Sequence, residues 1–452
     1  MKVIIIGGVA AGAKAAAKIR RLAPDTEINL YTDDDYVSYS SCGLPYYIGG
    51  AFEDFRMLLV RTPAEFEKQK IHIHLRHKVI KIMPDTKEVL INVIDKNKNI
   101  TKPYDKLVIA TGARARIPEI INVNLPQVLP LRTLNDGKKL KELTVKSNKA
   151  IIIGGGYIGL ELIEAFVKRG IHVTMVHNSS HLLTRLDADM SELVYDQLMS
   201  ISHSRFDILL NENVIEFVGD KNRFYGAKLS SGQFIDGDFA VLATGIIPNS
   251  EIALEAGIEL GVTKAIKVNE KMETSVKDIY ACGDCCEENL IIDNKPTWYP
   301  LGSTANKEGR CAAMNVCGIS ESFGGVLGSA VTRCMDLTVS QTGMSEKTAR
   351  LRGIEPISVT VTKDDKVGYM PDSNNITLKL TAEKSTGRLI GGQAIGSMDA
   401  DKRINTLASA ILARLTAAEF CMNDLTYAPP FSPTIDPLLN AAMMLRDKII
   451  NL

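Results

Sequence analysis

The stretch Ala150-Ile151-Ile152-Ile153-Gly154-Gly155-Gly156-Tyr157-Ile158-Gly159 decides the fold. Its apolar run reads as a strand buried on both faces, a Gly-x-Gly-x-x-Gly turn follows, and Tyr157 to Arg169 reads as a helix. In that order the glycines let the backbone approach a pyrophosphate resting on a helix N-terminus. The next strand is expected at Val173 to Val176.

The same arrangement opens the chain. Val3 to Ile6 is the strand, Gly7-Gly8-Val9-Ala10-Ala11-Gly12 the turn, and the Ala-rich run to Leu22 the helix, with a second strand at Glu27 to Tyr31. Val9 stands where the middle glycine is usual. Thr32 occupies the place where a carboxylate takes the ribose, and Asp33, Asp34 and Asp35 come just after. Two such units imply an α/β protein with two Rossmann-like dinucleotide-binding domains.

At 452 residues the chain is too long for one hydrophobic core. Lys plus Arg and Asp plus Glu each total 53, which removes the whole-chain electrostatic reason to expect nucleic acid or an anionic membrane as partner. No apolar run nears the roughly 18 residues of a membrane span, and Met1 leads into a strand rather than a leader peptide, so the expected location is cytoplasmic. The eight cysteines lack the spacing of a disulfide scaffold and read as thiols.

Three further segments bear on the ligands. Leu107 to Gly112 and Val241 to Gly245 each read as a strand entering a glycine turn through Ala-Thr-Gly, and Ile279 to Asp284 places a carboxylate after a strand and Gly283. With these segments the whole chain resembles the two-dinucleotide flavoprotein disulfide reductase family. The resemblance implies a glutathione-reductase-like fold: an FAD domain (1–112 and 246–322), an inserted NAD(P)H domain (113–245) and an α/β dimerisation domain (323–452). It implies FAD around Gly7, Gly8, Ala10, Ala11, Gly12, Thr32, Asp33, Thr111, Gly112, Gly283 and Asp284. NAD(P)H falls to Gly154, Gly156, Tyr157, Ile158, Gly159, Glu161, His177 and Gly245, with Tyr157 as a gate over the flavin and Glu161 near the nicotinamide. With the sequence read to 452, the extra rhodanese-like domain of some relatives is not expected.

Cys42 lies in Ser40-Ser41-Cys42-Gly43-Leu44-Pro45-Tyr46-Tyr47, and the glutathione-reductase branch needs a second cysteine where Tyr47 stands. A lone thiol there can instead cycle as a sulfenic acid or as a mixed disulfide. The Cys282/Cys285 pair, with Cys286, sits in the loop of Asp284 and lacks the second half of a zinc site. His72, His74 and His77 read as a packed or solvated strand with no nearby carboxylate, so no metal is expected.

The single-cysteine branch includes NADH oxidases, NADH peroxidases, coenzyme A disulfide reductases and persulfide or polysulfide reductases. Its oxidases usually carry a histidine in the first glycine loop, where this chain has Ala10. The first loop and the run Tyr427-Ala428-Pro429-Pro430-Phe431-Ser432 resemble the coenzyme A disulfide reductases. That resemblance makes Tyr427 and Tyr369 proton donors to the substrate sulfur in the other subunit of a homodimer with shared sites. It also implies a Cys42–coenzyme A mixed disulfide, formed from a small disulfide or sulfane-sulfur substrate. Lys18, Arg20 and Arg21 are candidates for coenzyme A phosphates, and Ser38 and Ser41 for polar contacts. Ser41 stands where those reductases often have Asn, which leaves the sulfur acceptor open. Oxygen reduction and a low-turnover flavin-bound sensor are the alternatives. Val176-His177-Asn178-Ser179-Ser180 supplies neither acid nor Arg at the coenzyme ribose, so both coenzymes are expected, with His177 and the serines hydrogen-bonding a 2′-phosphate.

Overall fold

The computed structural model describes residues 1–397 and 399–451. The chain forms two compact units, one of Met1–Arg116, Pro130–Lys141 and Gly245–Val326, the other of Ile117–Leu129, Glu142–Thr244 and Leu327–Leu452.

The first unit is built on a five-stranded parallel sheet in the order Ile279–Ala281, Lys106–Ile109, Lys2–Ile6, Glu27–Tyr31, Ile71–His74. The central strand is buried on both faces, the reason its sequence is an unbroken apolar run. One face packs on the helix Ala11–Leu22, whose alanines admit the helix Gly302–Val316 at close range. That approach needs Gly309, because a Cβ there would fall 2.4 Å from the Ala11 carbonyl oxygen. The other face packs on an antiparallel meander of His77–Met83, Glu88–Val93 and Lys98–Pro103.

Ala113–Ala115 pairs antiparallel with Ile246–Pro248, so the chain's exit and its return are held in one ribbon, and both stay with the first unit. Residues 130–141 also return to that unit.

The second unit repeats the parallel design, in the order Phe206–Leu210, His172–His177, Lys149–Ile153, Phe239–Leu242, Val128–Pro130. It also holds an antiparallel five-stranded sheet: Ala330–Cys334, Leu337–Gly343, Leu389–Gly396, Asn375–Glu383, Pro356–Asp364. Every residue of Leu389–Gly396 is buried, and the helices Ala400–Leu412 and Pro437–Ile450 complete this core.

Candidate functional site

The two glycine turns are built alike. Gly7 takes a positive φ of 100°, and a Cβ on it would lie 2.1 Å from the Ala110 carbonyl oxygen; Gly154, at 113°, would meet that of Ala243 at 2.3 Å. A Cβ on Gly12 would strike the Gly7 oxygen at 2.0 Å, and one on Gly159 the Gly154 oxygen at 2.1 Å. These glycines are required by backbone packing before any ligand is considered. The helices that follow start at Ala10 and Gly156 with no side-chain cap, so their first-turn N–H groups suit an anion, and a Cβ on Gly156 would point into open space.

In the first unit, Thr32 is buried and Asp33 exposed just past the second strand. Asp34 accepts from the Tyr39 hydroxyl at 2.8 Å, and Asp35 pairs with Arg76 and Asn135. Asp33 is thus the exposed carboxylate of that run. Gly112 takes a positive φ of 65°, and the Thr111 hydroxyl donates to the Asn249 carbonyl at 2.6 Å. Gly283, at 86°, turns the chain so that Asp284 meets Arg132 at 2.7 Å. Arg132, 152 residues away in sequence, also donates to the Ala113 carbonyl.

Beneath this turn Glu308 is wholly buried. Its Oε2 accepts from the Gly283 N–H at 2.6 Å, and its Oε1 has no hydrogen-bond partner. Burial, with Glu288 close by, drives its pKa well above the usual carboxylate range. The uncapped helix start, the Asp33 and Asp284 carboxylates and this orphaned buried oxygen fit a flavin dinucleotide.

Cys42 is exposed on a single helical turn, Ser41–Gly43. A Cβ added to Gly302 would lie 4.0 Å from its sulfur, so the thiol sits beside the start of the 15-residue helix Gly302–Val316, whose positive end favours a thiolate. Ser38 is buried with φ 51°; its N–H donates to the Gly8 carbonyl at 2.7 Å and its carbonyl accepts from Val60, tying the cysteine loop to the first glycine turn. Ser41 is half-buried at the start of the cysteine's turn.

A concavity of about 500 Å³ is lined by Arg20, Arg21, Arg61, Lys68 and Lys70, with no acidic side chain in its lining. Arg20 spends two guanidinium nitrogens on the Pro24 and Lys70 carbonyls, which fixes the shape of the wall. Lys18 lies outside this lining, and its charge acts on Cys317. Arg61, Lys68 and Lys70 come from a later segment of the chain, so their place beside Arg20 and Arg21 was not readable from local sequence.

In the second unit, Gln341 donates to the Tyr157 hydroxyl at 2.7 Å and Thr332 to Glu161 at 3.4 Å. Burial pushes the Glu161 carboxyl up to about 7. His177 is held at both ring nitrogens: its Nδ1 accepts from the Gly155 N–H at 3.2 Å and its Nε2 faces the His181 carbonyl at 3.0 Å. Burial lowers its pKa. Ile158 is half-buried in the first turn of the helix and Gly245 turns with φ 93°. Tyr369 and Tyr427 are 75% and 49% exposed.

The remaining cysteines and the histidines bear no metal cluster among the described residues. Cys282, Cys285 and Cys286 are buried, and the Cys285 thiol donates to the Cys282 carbonyl. A carboxylate does lie near the histidines: Glu67 is 3.1 Å from His72, while His74 stacks on Tyr31. No helix among the described residues is long and apolar enough to cross a membrane.

Residues 1–309 match the family model described as pyridine nucleotide-disulphide oxidoreductase, and residues 330–438 the dimerisation domain of the same family. The chain is 34% identical to a Pyrococcus furiosus protein named NAD(P)H sulfur oxidoreductase (CoA-dependent), over 98% of this chain and 99% of the relative. It is 33% identical, over the full length of both, to a Methanocaldococcus jannaschii protein named NADH oxidase. Among solved structures it resembles an NAD-dependent persulfide reductase from A. fulgidus, with a TM-score of 0.95 and 35% identity, covering 100% of this chain and 84% of that one.

Proposed function

Because the chain belongs to the pyridine nucleotide-disulphide oxidoreductase family, we propose that it is an FAD-dependent NAD(P)H oxidoreductase that reduces coenzyme A disulfide, or a related persulfide or polysulfide, through Cys42. The observation that carries this reading is the exposed Cys42 thiol beside a helix start, in the unit that holds the first glycine turn and Asp284. FAD, when bound, supplies the two-electron relay between a nicotinamide and sulfur. Gly7, Gly12, Asp33 and Asp284 hold it, and the second turn with Tyr157 and Glu161 binds the nicotinamide dinucleotide.

The Cys42 thiolate attacks one sulfur of the disulfide, forming Cys42–S–S–CoA and releasing the other half as a thiolate. Tyr427, with Tyr369, supplies the proton that this leaving group takes up, from the partner subunit of a homodimer. Two electrons from NAD(P)H then open the mixed disulfide, regenerating Cys42 and releasing a second coenzyme A thiol. The cationic concavity around Arg21, Arg61, Lys68 and Lys70 supports an anionic, phosphate-bearing substrate.

The test is direct. Mass spectrometry of untreated protein should find a coenzyme A adduct on Cys42. Cys42→Ser should lose disulfide and persulfide reduction while NAD(P)H still bleaches the bound flavin; reduction of these acceptors at the normal rate would remove Cys42 from the chemistry. Oxygen reduction is the second reading, favoured by likeness to the Methanocaldococcus protein. Ala10 offers no imidazole for it. Full oxygen turnover with no reaction toward any sulfur acceptor would establish that reading instead.

A further inference from the structure

We infer that Gln341 and Thr332, carried by the antiparallel sheet, are positioning residues for the nicotinamide dinucleotide, acting through Tyr157 and Glu161. The inference rests on the reading of residues 149–177 as the nicotinamide fold. It adds to that fold two residues from a separate part of the chain, 184 and 171 residues away from the side chains they hold.

The match is geometric. Tyr157 and Glu161 are four apart on the helix Tyr157–Lys168 and share one face, a turn apart. In the sheet, Ala330 pairs with Gln341 and Thr332 with Val339. Opposed residues project from the same face, as do residues two apart on one strand, so Thr332 and Gln341 form a diagonal pair on one face. Two neighbouring polar groups of the helix thus meet two neighbouring donors of the sheet. The Gln341 amide donates to the phenol at 2.7 Å and the Thr332 hydroxyl to the carboxyl at 3.4 Å.

Both donors are buried, Thr332 at 3% exposure and Gln341 at 8%. A buried amide without a partner is costly, and an apolar residue would fill the same place without the ordering entropy of a glutamine. The polar choice at 341 follows from the phenol it serves. It holds the ring of Tyr157 in one orientation, while Thr332 holds the carboxyl of Glu161. Glu164 on the same helix and Cys334 on the sheet strand are the other titratable groups near that carboxyl.

The test uses FAD-loaded protein with two readouts: the rate of flavin reduction by NAD(P)H, and the affinity of the oxidised holoenzyme for NAD⁺ by titration calorimetry. Gln341→Leu should weaken NAD⁺ binding and slow reduction, together by roughly tenfold, the worth of one neutral hydrogen bond. Reaction of dithionite-reduced enzyme with disulfide should keep its normal rate. In a Tyr157→Phe background Gln341→Leu should add no further loss, because its partner is already gone. Losses that multiply in the double variant, or normal affinity and rate in Gln341→Leu, would overturn the inference.

Thr332→Val is nearly isosteric and carries the second arm should Gln341→Leu not fold. Removing a bond that favours the ionised carboxylate should raise the pH midpoint of the reductive step, and an unmoved midpoint overturns the inference. Failure of the wild type to bind NAD⁺ or be reduced by either coenzyme is a separate result, which would take the functional reading down and this inference with it.

Discussion

The two glycine turns use one backbone design with different side chains around it. Each has a left-handed first glycine against a carbonyl of the neighbouring strand and a last glycine against the first. Counting from those glycines, Ala10 corresponds to Tyr157 and Lys14 to Glu161, so a methyl and a cation stand where the second turn has a phenol and an acid. Past the second strand the first unit offers Asp33, while the second has His177 bound at both ring nitrogens. The glycine pattern therefore reports a diphosphate cradle and nothing more; the side chains around it decide what each cradle serves.

The largest effect expected is on the shared backbone. Gly7→Ala and Gly154→Ala each combine a Cβ clash near 2 Å with a disfavoured φ and should each cost upward of ~3 kcal/mol. Denaturant unfolding should show similar losses in both variants. Tolerance of one but not the other would mean that the likeness ends at the glycines.

Next comes Glu161, which has no acidic counterpart in the first turn. Its pKa of about 7 in the folded chain lies above the 4.5 of an unperturbed glutamate, so the folded state binds the extra proton. The associated stability is fully present below pH ~4.5 and is lost as pH rises through 7, by at most about 3 kcal/mol. Glu161→Gln should therefore gain on the wild type in melting temperature between pH 5 and 8 and converge with it at lower pH. Parallel curves across that range would deny the shift.

Asp284 has no equivalent in the second unit. Asp284→Ala should release flavin and leave Arg132 without its carboxylate, a loss of about 1.5–3 kcal/mol in flavin binding, read as flavin lost on dilution. Full retention at low FAD would remove Asp284 from the flavin site.

The smallest effect concerns His177. His177→Ala should lower stability by about 1–2 kcal/mol through two lost hydrogen bonds, yet change the ratio of kcat/KM for NADH and NADPH less than about threefold. Wild type should use both coenzymes within roughly a hundredfold, as expected where neither an acid nor an Arg contacts the ribose. A large change of ratio in the variant would restore the ring as a phosphate contact.

Much of this was legible in the sequence because it is local. The strands Lys2–Ile6 and Lys149–Ile153, the glycines after them and the helices beyond are each written within about 20 residues. Cys42 stood out by the tyrosine in place of a partner. What escaped lies far apart along the chain: Arg132 meets Asp284 only once residues 130–141 return to the first unit, and Gln341 reaches Tyr157 across 184 residues. The contacts of His177 escaped for a different reason. Its residue type was visible, but the carbonyl of His181 and the N–H of Gly155 that occupy it depend on how the following loop curls back.

The distribution of the eight thiols gives the protein a built-in reporter. Six are buried, Cys317 is half-covered, and Cys42 is exposed beside the open side of Gly302. An alkylating reagent added to the native protein should therefore take Cys42 in a fast phase, Cys317 more slowly, and the six buried thiols only as the chain opens. The size of the fast phase counts the sites whose sulfur is not already carrying a guest, so a simple thiol titration measures occupancy of the reactive position without any turnover assay.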